Sequence, residues 1–173
     1  MKKVVVVAAL LLAGCGGDQV DGEGFAALKF GMTPEQLKPL GFLCGADAKI
    51  CSQDNPPPAP GRASLFDKPV RLAVTLVGGT LTEIDITLPN YSEDELIALY
   101  QKTYGEPEEC RFNNALGGTV EKHVWSAKNG ATITVSKILD YGAAPDTSRL
   151  TSLTAFATYR DPTRSAEFKT HSC

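Results

Sequence analysis

The stretch VRLAVTLVGGTLTEIDITLP, residues 70–89, decides the fold. Val70, Leu72, Val74 and Leu76 alternate with Arg71, Ala73 and Thr75; after Gly78-Gly79, Ile84, Ile86 and Leu88 alternate with Glu83, Asp85 and Thr87. Side chains of a strand point to opposite faces with a period of two, so each run has one buried and one wetter face. A glycine pair between two such runs reads as a hairpin turn, because it supplies the positive φ values that tight turns need. The pairing is therefore antiparallel.

Outward from this hairpin the pattern changes to helix and then back to strand. On the C-terminal side Ser92 and Glu95 form a capping box, and Leu96, Leu99 and Tyr100 share a helical face by their spacing. Gly105 and Pro107 end that helix. A loop carrying Cys110 and Gly117-Gly118 is expected next, then a strand over 119–126, the turn dipeptide Asn129-Gly130, and a strand over 131–139 in which Ile133, Val135 and Leu139 alternate with polar residues. Leu153, Ala155, Ala157 and Tyr159 mark a last strand, and the tail from Asp161 reads as irregular. On the N-terminal side Thr33 is a good N-cap, Pro34 suits the first helical position, Gln36 completes a capping box, and Pro39 with Gly41 closes a short helix. The proline-rich residues 55–61 read as a loop.

The order is helix, two or three strands, helix, three strands. That order predicts an α+β fold, an antiparallel sheet with helices packed on one face. It also suggests a diverged tandem duplication of an α-β-β-β unit, with subunits 25–89 and 90–160 inside a single domain 25–173.

The N-terminus gives an address. Lys2 and Lys3 precede an apolar run of nine residues, Val4 to Leu12, which has the size of a signal-peptide core and falls short of the roughly 20 residues a membrane span needs. Leu12-Ala13-Gly14-Cys15 resembles the lipobox of bacterial lipoproteins. The resemblance implies a signal peptide over 1–14, cleavage before Cys15, and acylation of its thiol and new amine; several acyl chains hold a protein at a bilayer where one does so marginally. Position 16 is Gly16 and not Asp, which in such lipoproteins implies the outer membrane, facing the periplasm. Residues 15–24, rich in glycine with Asp18, Asp21 and Glu23, read as a flexible tether. The segment Gly31-Met32-Thr33 through Leu37, Leu40 and Gly41 also resembles the helix start of small periplasmic lipoproteins of the BamE/SmpA type. This chain departs from them in its length, its cysteines and its two units. Proteins of the β-lactamase-inhibitor type offer a looser analogy, since they bind a protein partner on the sheet of tandem α-plus-β units.

Composition narrows the partners. The 173 residues carry a formal charge of −3 and have no run of lysine or arginine, which argues against nucleic acid. Besides Cys15 there are Cys44, Cys51, Cys110 and Cys173, an even set that export would oxidise. Three pairings are open to sequence alone. Cys44–Cys51 closing a short polar loop, with Cys110–Cys173 pinning the tail, is the expected one. Their spacing does not match a zinc site, so no metal is expected, nor any cofactor.

The search for catalytic sets returns little. No nucleophile elbow, zinc-protease or phosphate-loop pattern is present. His123 shares a strand face with Glu121 and Trp125, so Glu121 could orient it as a general base; the simpler reading is a cross-strand surface histidine. His171 beside Cys173 could form a nucleophile pair, although a thiol in that compartment is normally oxidised. Glu106, Glu108 and Glu109 read as a solvated loop. Tyr141, Asp146 and Arg149 form a polar loop whose Tyr and Arg are types enriched at binding hot spots. The expected function is a lipid-anchored module, attached to the membrane through Cys15, that binds a protein partner as an immunity protein, an inhibitor or an assembly accessory. An envelope hydrolase or small-ligand carrier is the alternative.

Overall fold

The computed structural model describes residues 22–53, 63–113, 117–139 and 154–164. Its elements in chain order are the ribbon β1 (Gly24–Phe25) and β2 (Leu28–Lys29), helix α1 (Pro34–Leu37) with a 3-10 turn (Lys38–Leu40), β3 (Phe42–Cys44), β4 (Ile50–Gln53), a second ribbon β5 (Ser64–Leu65) and β6 (Lys68–Pro69), β7 (Arg71–Val77), β8 (Thr80–Pro89), helix α2 (Glu93–Tyr104), β9 (Glu108–Asn113), β10 (Thr119–Ser126), β11 (Thr132–Ile138) and β12 (Thr154–Arg160). Eight strands form one antiparallel sheet in the order β3-β4-β7-β8-β12-β11-β10-β9. The fold is α+β and mostly sheet.

The hairpin expected over 70–89 is β7 and β8. Val77 faces Thr80 across the two-residue loop, and Gly78 and Gly79 have φ of 60° and 81°, a turn that a side chain would strain. The register slips between Thr75 and Leu76, leaving Thr82 as a bulge. Leu81, next to the bulge, exchanges backbone hydrogen bonds with the Gly31-Met32 segment: its N–H donates to the Met32 carbonyl and its carbonyl accepts from Gly31. The segment that starts the first helix is thus docked directly on β8. Both capping boxes form, Thr33 with Gln36 and Ser92 with Glu95, and Gly41 ends the first helical stretch with a left-handed φ of 85°.

One expectation is corrected here. Residues 108–113, read as a loop because they are charged, form the edge strand β9, so the second half of the chain supplies four strands to the sheet and not three; β3 and β4 bring the first half to four as well. Cys44 and Cys51 are bonded to one another, the expected pair, and face each other across the hairpin of β3 and β4. A finer difference lies at Asn129-Gly130. Gly130 donates to the Ala127 carbonyl and has φ of 88°, while the Asn129 side chain accepts from Ala131, so this is a wider turn with glycine at its left-handed position.

The core follows the pairing. Cys44, Cys51, Val74, Ile84, Tyr159, Ile133 and Trp125 form one continuous row across seven strands, and Leu72, Ile86, Ala157 and Val135 lie beside them on the same face. Leu96 and Tyr100 of α2 are buried in this core, and α2 lies against β11 and β12. The Tyr100 and Tyr159 hydroxyls hydrogen-bond to each other, and burial pushes both phenols well above their usual range, so both stay neutral. Trp125 donates from Nε1 to the Gly105 carbonyl at 2.8 Å, which ties the end of α2 to β10.

Candidate functional site

The core-facing row that begins apolar at Leu72 and Ile86 ends polar: Val135 pairs with His123, and His123 with Glu109. His123 is 6% exposed, which corrects the expectation of a surface histidine. Sheet alternation does put it on one face with Glu121 and Trp125, and its ring stacks at 26° on the indole with centroids 6.4 Å apart. Its Nδ1 is 3.4 Å from Glu109 Oε1 and its Nε2 is 3.4 Å from Glu121 Oε2, outside hydrogen-bond geometry, and among the described residues neither nitrogen has another partner. Arg111, across from Glu121 on β9, grips that carboxylate with two nitrogens at 2.6 and 2.7 Å. The Arg111 hydrogen bond holds the Glu121 carboxyl below its ordinary value, against the opposing effect of burial. Glu121 is thereby committed to Arg111, and the imidazole sits between two carboxylates. Sequence alone missed Glu109 and Arg111, whose strand it reads as a loop.

The opposite face of the sheet has another character. One row crosses all eight strands: Leu43, Ser52, Ala73, Asp85, Thr158, Thr134, Val124 and Glu108. Its neighbours on the same face include Ile50, Phe156, Ile138 and Phe112. Leu43, Ile50 and Phe156 are 59%, 61% and 55% exposed, and Ile138 and Phe112 are exposed as well. At the centre Arg160 pairs with Glu83 at 2.7 Å and Thr158 donates to Asp85 at 2.8 Å. Lys122 lies 4.7 Å above the Phe112 ring; partial burial, with Arg160 nearby, lowers its ammonium from the ordinary value. The face is thus a polar, internally paired centre flanked by exposed apolar side chains.

A groove of about 550 Å³ lies at one end of the molecule, lined by Thr103 and Tyr104 from the end of α2, Ser126 to Asn129 from the β10–β11 turn, and Glu23. His123 is not part of its lining.

Cys110 is disulfide-bonded, but its expected partner Cys173 lies outside the described residues. So do Cys15, Tyr141, Asp146, Arg149 and His171, with the signal peptide and most of the tether. Among the described residues no group of three or more His, Cys, Asp or Glu is placed to hold a metal, and no helix is long and apolar enough to cross a membrane. No protein-family model matches the chain, and neither a curated protein nor a solved structure resembles it.

Proposed function

We propose that this chain is a lipid-anchored envelope protein, held at the membrane through Cys15, that binds a protein partner across the open face of its sheet as an immunity protein, an inhibitor or an accessory in envelope assembly. The observation that carries the reading is the open face itself: Leu43, Ile50, Phe112, Ile138 and Phe156 all stand on it, and all are exposed. Apolar side chains spread around a polar, satisfied centre are what a protein interface buries, and monomeric proteins seldom leave so many large apolar groups on one face. The lipobox-like segment supports the anchor and the compartment.

The same reading accounts for the architecture. The four sheet strands of the first half stand side by side, as do the four of the second, and the halves meet through their last strands, β8 and β12. Each half carries a capped helix ahead of its four sheet strands. This mirrored order supports a diverged tandem duplication, here of a four-stranded unit, with α2 on the buried face and the other face left for a partner.

The test is crosslinking in cells followed by capture of the tagged chain, with Cys15→Ser, Phe156→Asp and Ile50→Asp variants alongside. One dominant protein that is lost in all three variants supports the reading. A partner retained by both open-face variants removes this face from it, and no enriched protein from a correctly placed chain overturns it. The alternative of a hydrolase built on His123 and Glu121 predicts that His123→Ala alone abolishes the phenotype of the gene.

A further inference from the structure

The open face of the sheet carries a charge pattern that is self-complementary. Six neighbouring strands run in the order β7-β8-β12-β11-β10-β9. One row of the open face across them holds Asp85 on the second strand and Glu108 on the sixth. The next row, two residues further along each strand, holds Arg71 on the first strand, Lys122 on the fifth and Phe156 on the third. Reversing the strand order therefore exchanges first with sixth and second with fifth, and puts each base on an acid. One copy leaves this pattern largely unused. Among the described residues Arg71 and Glu108 are exposed and make no ion pair, and the Asp85 carboxylate takes only the Thr158 hydroxyl, at 2.8 Å. With Glu83 and Arg160 paired to one another, acids and bases on these six strands balance, so a strongly acidic or strongly basic partner gains nothing from the face.

We propose that a second copy of this chain docks on this face, about a two-fold axis that runs along the strands between β12 and β11. The proposal names an occupant of the open face, and so rests on reading that face as an interface. Such an axis lays β7 of one copy over β9 of the other, and β8 over β10. Arg71 then meets Glu108 of the second copy, and Lys122 meets its Asp85. Two-fold symmetry makes each contact twice, and Phe156 packs beside its own mate next to the axis. Facing sheets pack about 10 Å apart with their strands nearly aligned, and the two rows lie about 7 Å from each other, so an arginine or lysine reaches a carboxylate across the gap. The overlap of six strands, about 29 Å across and about 23 Å along, covers about 670 Å² on each copy. Both copies together bury an area within the roughly 1,200–2,000 Å² of a stable complex. β3 and β4, with Leu43 and Ile50, extend beyond the overlap and stay open to a different protein.

Sedimentation equilibrium of the full chain in density-matched non-ionic detergent, from low to high micromolar, tests the proposal. A dimer is expected. Phe156→Asp, Arg71→Glu and Glu108→Arg each weaken it at least about tenfold, roughly 1.4 kcal/mol, because like charges then face each other or a carboxylate sits at the axis. Arg71→Glu combined with Glu108→Arg restores the pairing with its signs exchanged and returns the affinity to within about threefold of the parent chain. That rescue also separates a lost contact from a lost fold. A monomer at every concentration overturns the proposal. So does a dimer indifferent to Phe156→Asp, and so do charge variants that the exchange fails to rescue. Ile50→Asp leaves the dimer intact, since its strand lies outside the overlap. A monomeric chain that still captures a different protein through Phe156 and Ile50 refutes the second copy alone and leaves the face standing as an interface.

Discussion

A hydroxyl buried without a partner costs about 1–3 kcal/mol, whereas removing both members of a buried pair can be nearly neutral. Tyr100 and Tyr159 set up that asymmetry, since each is fully buried and its hydroxyl bonds the other's. Tyr100→Phe and Tyr159→Phe are each expected to lower stability by about 1–3 kcal/mol, and the double variant by no more than either single one; urea denaturation of the three chains measures it. Equal, additive losses would show that each hydroxyl acts alone. The sequence places Tyr100 on the apolar face of a capped helix and Tyr159 on an alternating strand, so the burial of both was legible. Their pairing spans 59 residues and depends on how α2 crosses β12, which no local pattern encodes. His123 shows the same boundary. Its shared face with Glu121 and Trp125 follows from the strand period, but its burial depends on what packs over it, and Glu109 comes from a strand the sequence hides.

That strand, β9, was illegible because edge strands carry charge. Glu108, Glu109 and Arg111 discourage pairing with foreign chains, and the same residues read as a solvated loop. At the other edge β3 and β4 have three and four residues, too few for alternation to register. The cysteines were the better signal there. Cys51 is fully buried in the core row and Cys44 faces it, so the disulfide fastens the outermost strand to its neighbour. Loop-closure entropy for so short a loop gives about 2.5 kcal/mol. Replacing both cysteines by alanine, which leaves no hydroxyl at the buried position 51, is expected to lower stability by at least that amount and to raise amide exchange over residues 42–53 while leaving β10 to β12 protected. Hydrogen exchange with mass spectrometry reads both, and loss of protection across the whole sheet would mean that the hairpin is no separable edge.

Across the whole molecule the junction of the two halves is a single pair of strands. β8 and β12 are matched over seven residue pairs, with Ile84 and Ile86 against Tyr159 and Ala157, all at most 1% exposed. Protection in native-state exchange is expected to peak there and fall toward β3 and β9, because local opening is cheapest where few buried contacts are lost. A maximum in either outer hairpin would contradict this. The hairpin over 70–89 and strands β10, β11 and β12 were legible one by one; their order in the sheet was not, since it is set by a contact between strands 65 and more residues apart.

That late contact has a consequence for how the molecule comes into being. β12 is the last of the eight sheet strands in the chain, yet it lies at the centre of the sheet, between β8 and β11. A chain made N-terminus first therefore holds β8, its longest strand, with Leu81, Ile84, Ile86 and Leu88 unburied and an open edge until β12 follows. Unpaired apolar edges recruit other chains, and sheets closed by distant strands fold slowly. The sheet therefore closes only once β12 is available, and until then the β8 edge is open to other chains.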